Sequence, residues 1–442
     1  MYAAIKNLRR LPLLLLVRLG WAGPVAWLCH FFVTSLERDG ATGPVVLALN
    51  PGRFRGDLEV LAEEQGVRIR AMSFAWQCFL YTCFYKEADS CILDKDEPRI
   101  ATAQIAYRAF LRKFLPRLFA TLGVEAVIGA ATHYRQDYDI ATVSHELNIP
   151  TLILQREGNL GSLAVQRQFS DRCKQVGRFH GTKLMVHNAV QKNILLDTGF
   201  ATPDQVTVGG NIRMDRFVRA IRAGQFEGKN SAGRVTLFSF GPGTGNYKAA
   251  PPNWPINPEK YLLEFCRDTH CVAAKFARDH PDVEVVIKAK WGGGWIANIE
   301  ALLEGQGLHP GEIPNLLIVG DGDAQKMMAR SDVVIGFAST TLVESAAMGR
   351  ATILPYFHEI SSERMADFVF YRDDFDCFDL ARSPEELEHL IETRLSDFTP
   401  TPELNNRRIE LFEKYVSHWD ASATEKCVAK LTAMIEGREN SG

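Results

Sequence analysis

A short segment in the second half of the chain has the residue types of a phosphate-binding turn. An apolar run over 333–335 ends at a glycine, and a serine and two threonines follow at the start of a helical pattern. Glycine lets the backbone approach a ligand closely, and the free amides and positive dipole end of a helix attract phosphate. A glutamate one turn further on lies roughly 6 Å from the helix start, within reach of ribose hydroxyls. The alternative interpretation is a capped structural helix with an exposed glutamate. The residues concerned are Gly336, Ser339, Thr340, Thr341 and Glu344.

A second loop combines lysines with tryptophans. Lys288 and Lys290 are two residues apart at the end of an apolar run, so both ammonium groups are expected to face one phosphate or diphosphate. Trp291 and Trp295 flank three glycines. This pattern predicts either a flexible aromatic flap over a base or sugar, or a solvated glycine-rich turn.

A glycine-rich loop containing Gly241 and Gly243 follows the first apolar run of the same half. Small residues there permit contact between the backbone and a phosphate or a sugar. The loop lacks the spacing of a P-loop and of the GxGxxG dinucleotide fingerprint. ATP hydrolysis and NAD chemistry are therefore disfavoured.

Alternating strands and helices must position these loops. Short apolar runs separated by helical patterns predict parallel sheets that are covered by helices on both faces. Ligands of such sheets bind beyond the carboxyl ends of the strands, so the informative residues are those that directly follow each run. The predicted strands cover 44–49, 67–72, 124–129, 151–155 and 183–186, and then 234–240, 284–288, 315–319, 333–335 and 351–355.

The length of the chain predicts two domains with a cleft between them. Its 442 residues exceed the roughly 250 to 300 at which single hydrophobic cores usually stop growing. A stretch of glycine, serine and asparagine predicts a linker. The predicted organisation is an apolar helical segment (1–36), a first doubly wound domain (37–227), the linker (228–233), a second doubly wound domain (234–383) and C-terminal helices (384–442).

The N-terminal segment leaves two interpretations open. Residues 11–33 are apolar apart from Arg18, His30 and a few small residues, and three basic residues precede them. A membrane span is disfavoured, because an arginine near the middle of a span costs about 2.5–3.5 kcal/mol and glycines and a proline interrupt the helix. A cleaved signal peptide is disfavoured because no clean cleavage site follows. The segment either associates with a membrane surface or forms a buried helical hairpin.

Charge and cysteine usage exclude several classes of protein. The net charge of −3 lacks the basic footprint of a nucleic-acid-binding protein. The nine cysteines contain no CxxC pair and no zinc-type spacing, which is typical of reduced thiols in the cytoplasm. Asp321 and Asp323 have the spacing of a DxD motif, but they more simply start a helix. We therefore predict a cytoplasmic protein, either free or peripheral on the inner membrane, with no essential metal ion.

Two segments resemble motifs of the GT-B glycosyltransferases and their relatives. The stretch 331–355 resembles the nucleotide-binding segment of this superfamily, which includes Kdo transferases, teichoic-acid glycerophosphotransferases and sugar-nucleotide 2-epimerases. The stretch 205–215 looks like the segment that closes the amino-terminal domain in several of these families. A weaker match at 149–158 has Arg156 and Glu157 where relatives often have a histidine. The resemblance implies an α/β, GT-B-like fold of two facing Rossmann-like domains with a C-terminal helical tail.

By the same resemblance, the first domain holds the acceptor. An inverting transfer needs a base that takes the proton of the acceptor hydroxyl, while basic groups or a helix end stabilise the leaving phosphate. Glu157 is the first candidate for that base. Asp57 and His133 are reserves, since each is also a credible helix cap or positioning group. The arginines predicted to hold an acidic acceptor are Arg53, Arg55, Arg135 and Arg156.

These features favour a metal-independent glycosyltransferase. It is expected to move a sugar from a CMP- or UDP-linked donor to a bacterial surface polysaccharide, such as a capsule, to lipopolysaccharide or to a lipid-linked glycan. The nucleotide sugar is a co-substrate, and no further cofactor is expected. Three alternatives stay open, namely a sugar-nucleotide 2-epimerase, a CDP-polyol phosphotransferase and a non-catalytic GT-B-like assembly scaffold.

Overall fold

The computed structural model describes residues 11–36, 40–54, 56–64, 66–85, 98–132, 135–226, 233–244, 261–290 and 292–437. The chain divides into two compact units. Unit 1 comprises Met1–Gly158, Arg172–Arg216 and Asp420–Gly442, and unit 2 comprises Asn159–Asp171 and Phe217–Trp419. The continuous domain boundaries predicted from the sequence stay a prediction.

The described part of unit 1 contains a seven-stranded sheet. Its strands are β1 (Val33–Ser35), β2 (Val45–Leu49), β3 (Arg68–Met72), β4 (Val124–Gly129), β5 (Thr151–Leu154), β6 (Lys183–Val186) and β7 (Val206–Val208). Their order is β1-β3-β2-β4-β5-β6-β7, with the edge strand β1 antiparallel to β3 and the other pairs parallel. Strand β2 is buried along its whole length, as expected for a parallel sheet covered on both faces. The chain order reverses between β2 and β4, so ligands are expected at the carboxyl ends of these two strands.

Unit 2 contains a six-stranded sheet in its described part. Its strands are β8 (Arg234–Phe238), β9 (Glu284–Lys288), β10 (Leu316–Val319), β11 (Val333–Ile335), β12 (Ala351–Pro355) and β13 (Asp379–Ala381). All pairs are parallel in the order β10-β9-β8-β11-β12-β13, which is the order of a doubly wound Rossmann sheet. The switch point lies between β8 and β11. The prediction of two parallel-sheet α/β domains is confirmed.

Helices connect the strands in both units. The helices of the first half are α1 (Leu11–Arg18), α2 (Ala22–His30), α3 (Asp57–Glu63), α4 (Phe74–Thr82), α5 (Pro98–Leu122), α6 (Arg135–Glu146), α7 (Leu163–Val176), α8 (Ala189–Asp197) and α9 (Met214–Arg222). Those of the second half are α10 (Leu263–Asp279), α11 (Gly294–Glu304), α12 (Ala324–Ala329), α13 (Thr340–Ala347), α14 (Pro384–Ser396), α15 (Pro402–Tyr415) and α16 (Ala423–Ile435). Within the described ranges, none of them combines the length and hydrophobicity that a membrane crossing requires.

The inner face of the α1–α2 hairpin belongs to the core of unit 1. Its buried side chains pack in one cluster with apolar residues of β2, α4 and α5. Gly20, at φ 70°, makes the turn between the two helices, a conformation that glycine adopts without strain. The buried residues of the hairpin are Val17, Ala22, Val25, Ala26 and Cys29.

Asp215, in the stretch that resembles the GT-B domain-closing segment, attaches the C-terminal helix α16 to unit 1. Its Oδ1 accepts a hydrogen bond from the amide of Ala423 at 3.2 Å. Its Oδ2 accepts from the amide and the hydroxyl of Thr424 at 2.7 and 2.6 Å. The N-cap residue Ser422 makes no side-chain capping bond, so a carboxylate distant in sequence satisfies the free amides of this helix.

We predict that Asp215→Ala lowers the free energy of unfolding by about 1–3 kcal/mol, because it leaves buried amides without an acceptor. Urea unfolding measures the change. The matched control is Asp197→Ala, which removes an exposed carboxylate of the same unit and should leave the midpoint unchanged. Equal midpoints for both variants would contradict the capping role.

Candidate functional site

The predicted phosphate-binding turn lies at the carboxyl end of β11, at the switch point of unit 2. Ser339 is the N-cap of α13, and its Oγ accepts hydrogen bonds from the amide of Thr341 at 3.3 Å and from the hydroxyl of Thr341 at 2.9 Å. Ala338 turns the chain at φ 52°, a left-handed conformation that is uncommon outside glycine. Ser339, Thr340 and Thr341 are half-buried, so the start of α13 keeps partial access to solvent. Gly336 precedes the turn in the buried end of the strand segment.

Glu344 lies one turn into α13 and is only 5% exposed, so the exposed-glutamate interpretation does not match the structure. Tyr371 lies beside this turn. Its hydroxyl donates to Asn159 Oδ1 at 2.8 Å and lies 3.2 Å from the carbonyl oxygen of Ser339. Burial raises the pKa of Tyr371 above its ordinary range, and the nearby charge of Glu344 adds to the shift. A buried carboxylate therefore lies close to the start of the helix, and its ribose-binding role stays a prediction.

The two lysines after β9 differ in their surroundings. Lys288 Nζ donates to the carbonyl oxygens of Ala289 and Gly320, both at 2.7 Å, and so joins the ends of β9 and β10. Burial lowers the pKa of Lys288, although Asp321 opposes the shift. Lys290 lies beyond the end of the strand and is exposed. Two of the three N–H groups of Lys288 are therefore engaged with carbonyl oxygens, and the paired binding of one phosphate by Lys288 and Lys290 stays a prediction.

The glycine-rich loop after β8 forms a closed turn. The amide of Gly241 donates to Thr244 Oγ1 at 3.1 Å, and the amide of Thr244 donates to the carbonyl of Gly241 at 3.0 Å. Gly243 lies half-buried within this turn. A methyl group at Gly241 would lie 3.6 Å from the indole of Trp295, so the tryptophan packs beside the loop. Trp291 lies outside the described residues.

A chain of hydrogen bonds holds Trp295 in place. His270 Nδ1 lies 2.7 Å from the carbonyl of Cys266, which can only accept, so this nitrogen carries the proton. Its Nε2 therefore accepts from Ser239 Oγ at 2.9 Å. Ser239 Oγ in turn accepts from Trp295 Nε1 at 3.1 Å. The indole of Trp295 therefore has a defined orientation at the carboxyl end of β8, and the aromatic flap over 291–295 stays a prediction.

This arrangement predicts a pH dependence of stability. Burial lowers the pKa of His270 to about 4, below the 6.5 of an unfolded histidine, so the unfolded chain binds more protons between these values. Stability should therefore fall as the pH is lowered through this window. In His270→Gln the free energy of unfolding should decrease less steeply, by about 1.4 kcal/mol per pH unit. Denaturant unfolding at several pH values from neutral downward measures it, and equal slopes for both proteins would contradict the prediction.

The predicted acceptor side of unit 1 is centred on the loop after β5. Glu157 adopts φ 60°, and its side chain is 62% exposed. Gln191 Nε2 donates to the carbonyl oxygens of Arg156 and Glu157 at 3.3 and 3.4 Å. Asn188 Nδ2 donates to the carbonyl of Gly158 at 2.9 Å. Side chains at the start of α8 therefore hold the loop in the conformation that presents Glu157.

His187 is a neighbour of this loop that was not among the residues predicted from the sequence. A methyl group at Gly158 would lie 2.2 Å from His187 Nδ1, so the ring packs directly against the glycine. Burial, and then the positive charges of Arg213 and Arg156, lower the pKa of His187 to about 3. Arg156 itself is buried, with Nη2 3.7 Å from Glu157 Oε1. The signal for His187 in the sequence is its position directly after the apolar run 183–186.

The two aspartates near the unit 1 switch point have different environments. Asp57 begins α3, is 5% exposed, and accepts the amide of Arg213 at 3.0 Å through Oδ1. Through this bond Asp57 connects the loop after β2 to the segment after β7, which is the role of a positioning group. Asp137, in the first turn of α6, is fully buried, and burial raises its pKa to about 7 against the nearby charge of Arg53. It is a second buried carboxyl group near this switch point.

The remaining predicted residues of unit 1 are only partly described. Arg53 is exposed on the short 3-10 turn after β2. His133 and Arg55 lie outside the described residues, and the backbone of Arg135 is placed at the first residue of α6. Their predicted roles stay predictions.

In the described ranges, no group of three or more His, Cys, Asp or Glu side chains is placed to hold a metal ion. Asp323 is the N-cap of α12 and accepts from the amides of Gln325 and Lys326 at 2.9 and 3.3 Å. The acidic pair with DxD spacing therefore does start a helix.

The chain matches no protein-family model and no curated protein sequence. Solved structures do match it. The UDP-GlcNAc 2-epimerase of Neisseria meningitidis, bound to UDP-GlcNAc, has a TM-score of 0.51 at 12% identity over 88% of this chain and 100% of its own. The wall teichoic acid polymerase TagF has a TM-score of 0.51 at 11% identity over 98% of both chains. The fold is GT-B.

A third GT-B structure, the UDP-GlcNAc 2-epimerase of Methanocaldococcus jannaschii, agrees, with a TM-score of 0.51 at 11% identity over 88% of this chain and 99% of its own. The GT-B fold predicted from the sequence is therefore confirmed. At identities of 11–12% the likeness concerns the fold and not the reaction.

Proposed function

We propose that this GT-B protein is a metal-independent glycosyltransferase. Its donor is a nucleotide sugar, with UDP or CMP as the nucleotide, and its acceptor is a bacterial surface polysaccharide, lipopolysaccharide or lipid-linked glycan. The observation that carries the proposal is the half-buried start of α13 at the unit 2 switch point, with the buried carboxylate of Glu344 one turn further on. The free amides of a helix start attract phosphate, and a charged carboxylate accepts strong hydrogen bonds from hydroxyl groups such as those of ribose.

In the proposed reaction, the oxygen of the acceptor hydroxyl attacks the anomeric carbon of the donor sugar. The bond between that carbon and the phosphate oxygen breaks. The leaving group is UDP for a UDP-linked donor and CMP for a CMP-linked donor. Glu157 takes the hydroxyl proton. The amides at the start of α13, with Lys290, stabilise the negative charge of the leaving phosphate.

A cytoplasmic location belongs to the same proposal. The cysteines of the described residues are free thiols, as the reducing cytoplasm would keep them. Nucleotide sugars would be available to the protein there.

Product analysis with and without acceptor tests the proposal. Purified protein is incubated with UDP- and CMP-sugars, and nucleotide release and sugar products are followed by chromatography and mass spectrometry. A transferase releases nucleotide in proportion to acceptor. An isomeric nucleotide sugar formed without acceptor would identify an epimerase instead, and CMP release from a CDP-polyol would identify a phosphotransferase.

A thermal-shift screen separates these enzymes from a non-catalytic scaffold. A nucleotide at 100 times its dissociation constant adds about 2.7 kcal/mol of stability to a protein that binds it. No shift with any of the uridine, cytidine, guanosine or thymidine nucleotides would overturn the donor-site assignment.

A further inference from the structure

Exposed aromatic side chains are concentrated on the outer surface of the α1–α2 hairpin in unit 1. Six of the eleven large hydrophobic side chains that are strongly exposed in the described residues lie in this short stretch. We call these six residues the aromatic face. Its members and their exposed fractions are Leu15 57%, Leu19 55%, Trp21 55%, Trp27 58%, Phe31 61% and Phe32 58%.

Helical spacing places these side chains opposite the core. Leu15 and Leu19 are four residues apart on α1, and Trp27 and Phe31 are four apart at the end of α2, with ring centroids at 4.9 Å. The buried residues of the same hairpin fill the positions between them. Phe32 extends the face towards α4, where its ring lies 5.6 Å from that of Trp76. The hairpin is therefore apolar on both sides, and the six side chains of its outer side are more than half exposed in the described part of the chain.

The helices that form and adjoin the aromatic face carry basic but no acidic residues, although Arg108 and Arg112 on α5 pair with Asp139 and Glu146 of α6. The stretches 11–36, 72–85 and 98–122, which contain α1, α2, α4 and α5, carry six Arg or Lys residues and no Asp or Glu. Arg18, Lys113 and Arg117 are exposed. Arg117 lies beside the start of α2, because a methyl group at Gly23 would come 3.5 Å from its Cδ. An apolar, tryptophan-bearing patch with a basic border matches the interface of an anionic bilayer, where indole rings lie at the headgroup level and basic residues meet lipid phosphates.

We infer that the aromatic face docks unit 1 on the surface of an anionic phospholipid bilayer. The inner side of the hairpin is buried in the core of unit 1. The hairpin therefore cannot cross the bilayer, and its outer side can enter only the headgroup region. This reconciles the two interpretations of the N-terminal segment, since one side is core and the other is a docking surface. The inference does not depend on the reaction that the protein catalyses.

Vesicle flotation of the full chain tests the inference. We expect the protein to float with vesicles of phosphatidylcholine and phosphatidylglycerol and to bind vesicles of phosphatidylcholine alone more weakly. The variant Trp21→Ser/Trp27→Ser/Phe31→Ser/Phe32→Ser should lose binding by about ten-fold or more, because the apolar contact area is removed. The control Leu163→Ser/Leu263→Ser/Leu317→Ser removes exposed leucines of unit 2 and should bind like the unsubstituted protein. Deletion of the hairpin is unsuitable, because it would open the core of unit 1.

A second variant tests the inference even if the aromatic variant does not fold. Arg18→Glu/Lys113→Glu/Arg117→Glu changes exposed residues only, and it should abolish the preference for anionic vesicles. Melting temperatures verify that each variant is folded. The inference is overturned if the unsubstituted protein binds neither vesicle, or if both variants bind as it does. It is also overturned if light scattering shows a dimer that the aromatic substitutions separate and vesicles do not bind, because a second copy of the chain would then cover the face.

Discussion

Replacing Glu157 with glutamine should lower kcat for sugar transfer by roughly 10²- to 10⁴-fold, the range expected for loss of a general base. Glutamine keeps the shape of the side chain but cannot take the proton of the acceptor hydroxyl. The side chain is 62% exposed, so the substitution should not disturb folding. Steady-state kinetics with a functional acceptor measure the effect. The KM for the nucleotide sugar should change little, because the donor is bound by other residues.

The matched control for this prediction is Glu59→Gln, which neutralises another exposed glutamate of unit 1. It should retain the kcat of the unsubstituted enzyme. If Glu157→Gln keeps more than half of the activity, Glu157 is not the base. His133 and Asp57, the reserve candidates for the base, would then be the next residues to test.

Replacing Glu344 with glutamine should weaken nucleotide binding by about 10- to 100-fold, because each hydrogen bond from a ribose hydroxyl to a charged carboxylate contributes about 1.5–3 kcal/mol. Calorimetry with the nucleotide found in the thermal-shift screen measures the dissociation constant without requiring an acceptor. The substitution preserves side-chain volume, which matters because Glu344 is only 5% exposed.

Glu300→Gln is the control for the donor site, since this exposed glutamate lies on α11 of the same unit. The dissociation constant of the nucleotide should be the same for Glu300→Gln and for the unsubstituted protein. Urea midpoints show whether Glu344→Gln is folded. An unchanged affinity in a folded Glu344→Gln protein would remove the central support for the donor site.

The secondary structure of the sheets was largely predictable from hydrophobic patterning. The predicted runs 124–129, 183–186, 284–288, 333–335 and 351–355 coincide with β4, β6, β9, β11 and β12. These strands are buried and consist of short apolar runs between turn residues, so local sequence is sufficient to recognise them. The edge strand β1 was not predicted. It has three residues, pairs with β3 on one side, and is not buried, so it lacks the apolar signal.

The candidate site was predictable where it depends on neighbouring residues in the chain. Ser339 caps α13 through a bond to an amide two residues away, a relation that sequence alone suggests. The roles of Asp57 and Lys288 depend on distant partners. Asp57 is 156 residues from Arg213, and Lys288 is 32 residues from Gly320, so no local pattern indicates that these charged groups bind backbone atoms.

The amino-acid sequence by itself determined the alternating α/β elements and the loops that carry the candidate chemistry, because periodicity, capping and turn residues act over a few neighbouring positions. Only the tertiary structure decided which polar groups bind backbone atoms and which side chains are buried. Asp215 holds the C-terminal helix, the Ser239–His270 pair orients Trp295, and the α1–α2 hairpin has a buried side and an exposed side. These outcomes depend on burial and on partners far apart in the chain, which the order of residues does not reveal.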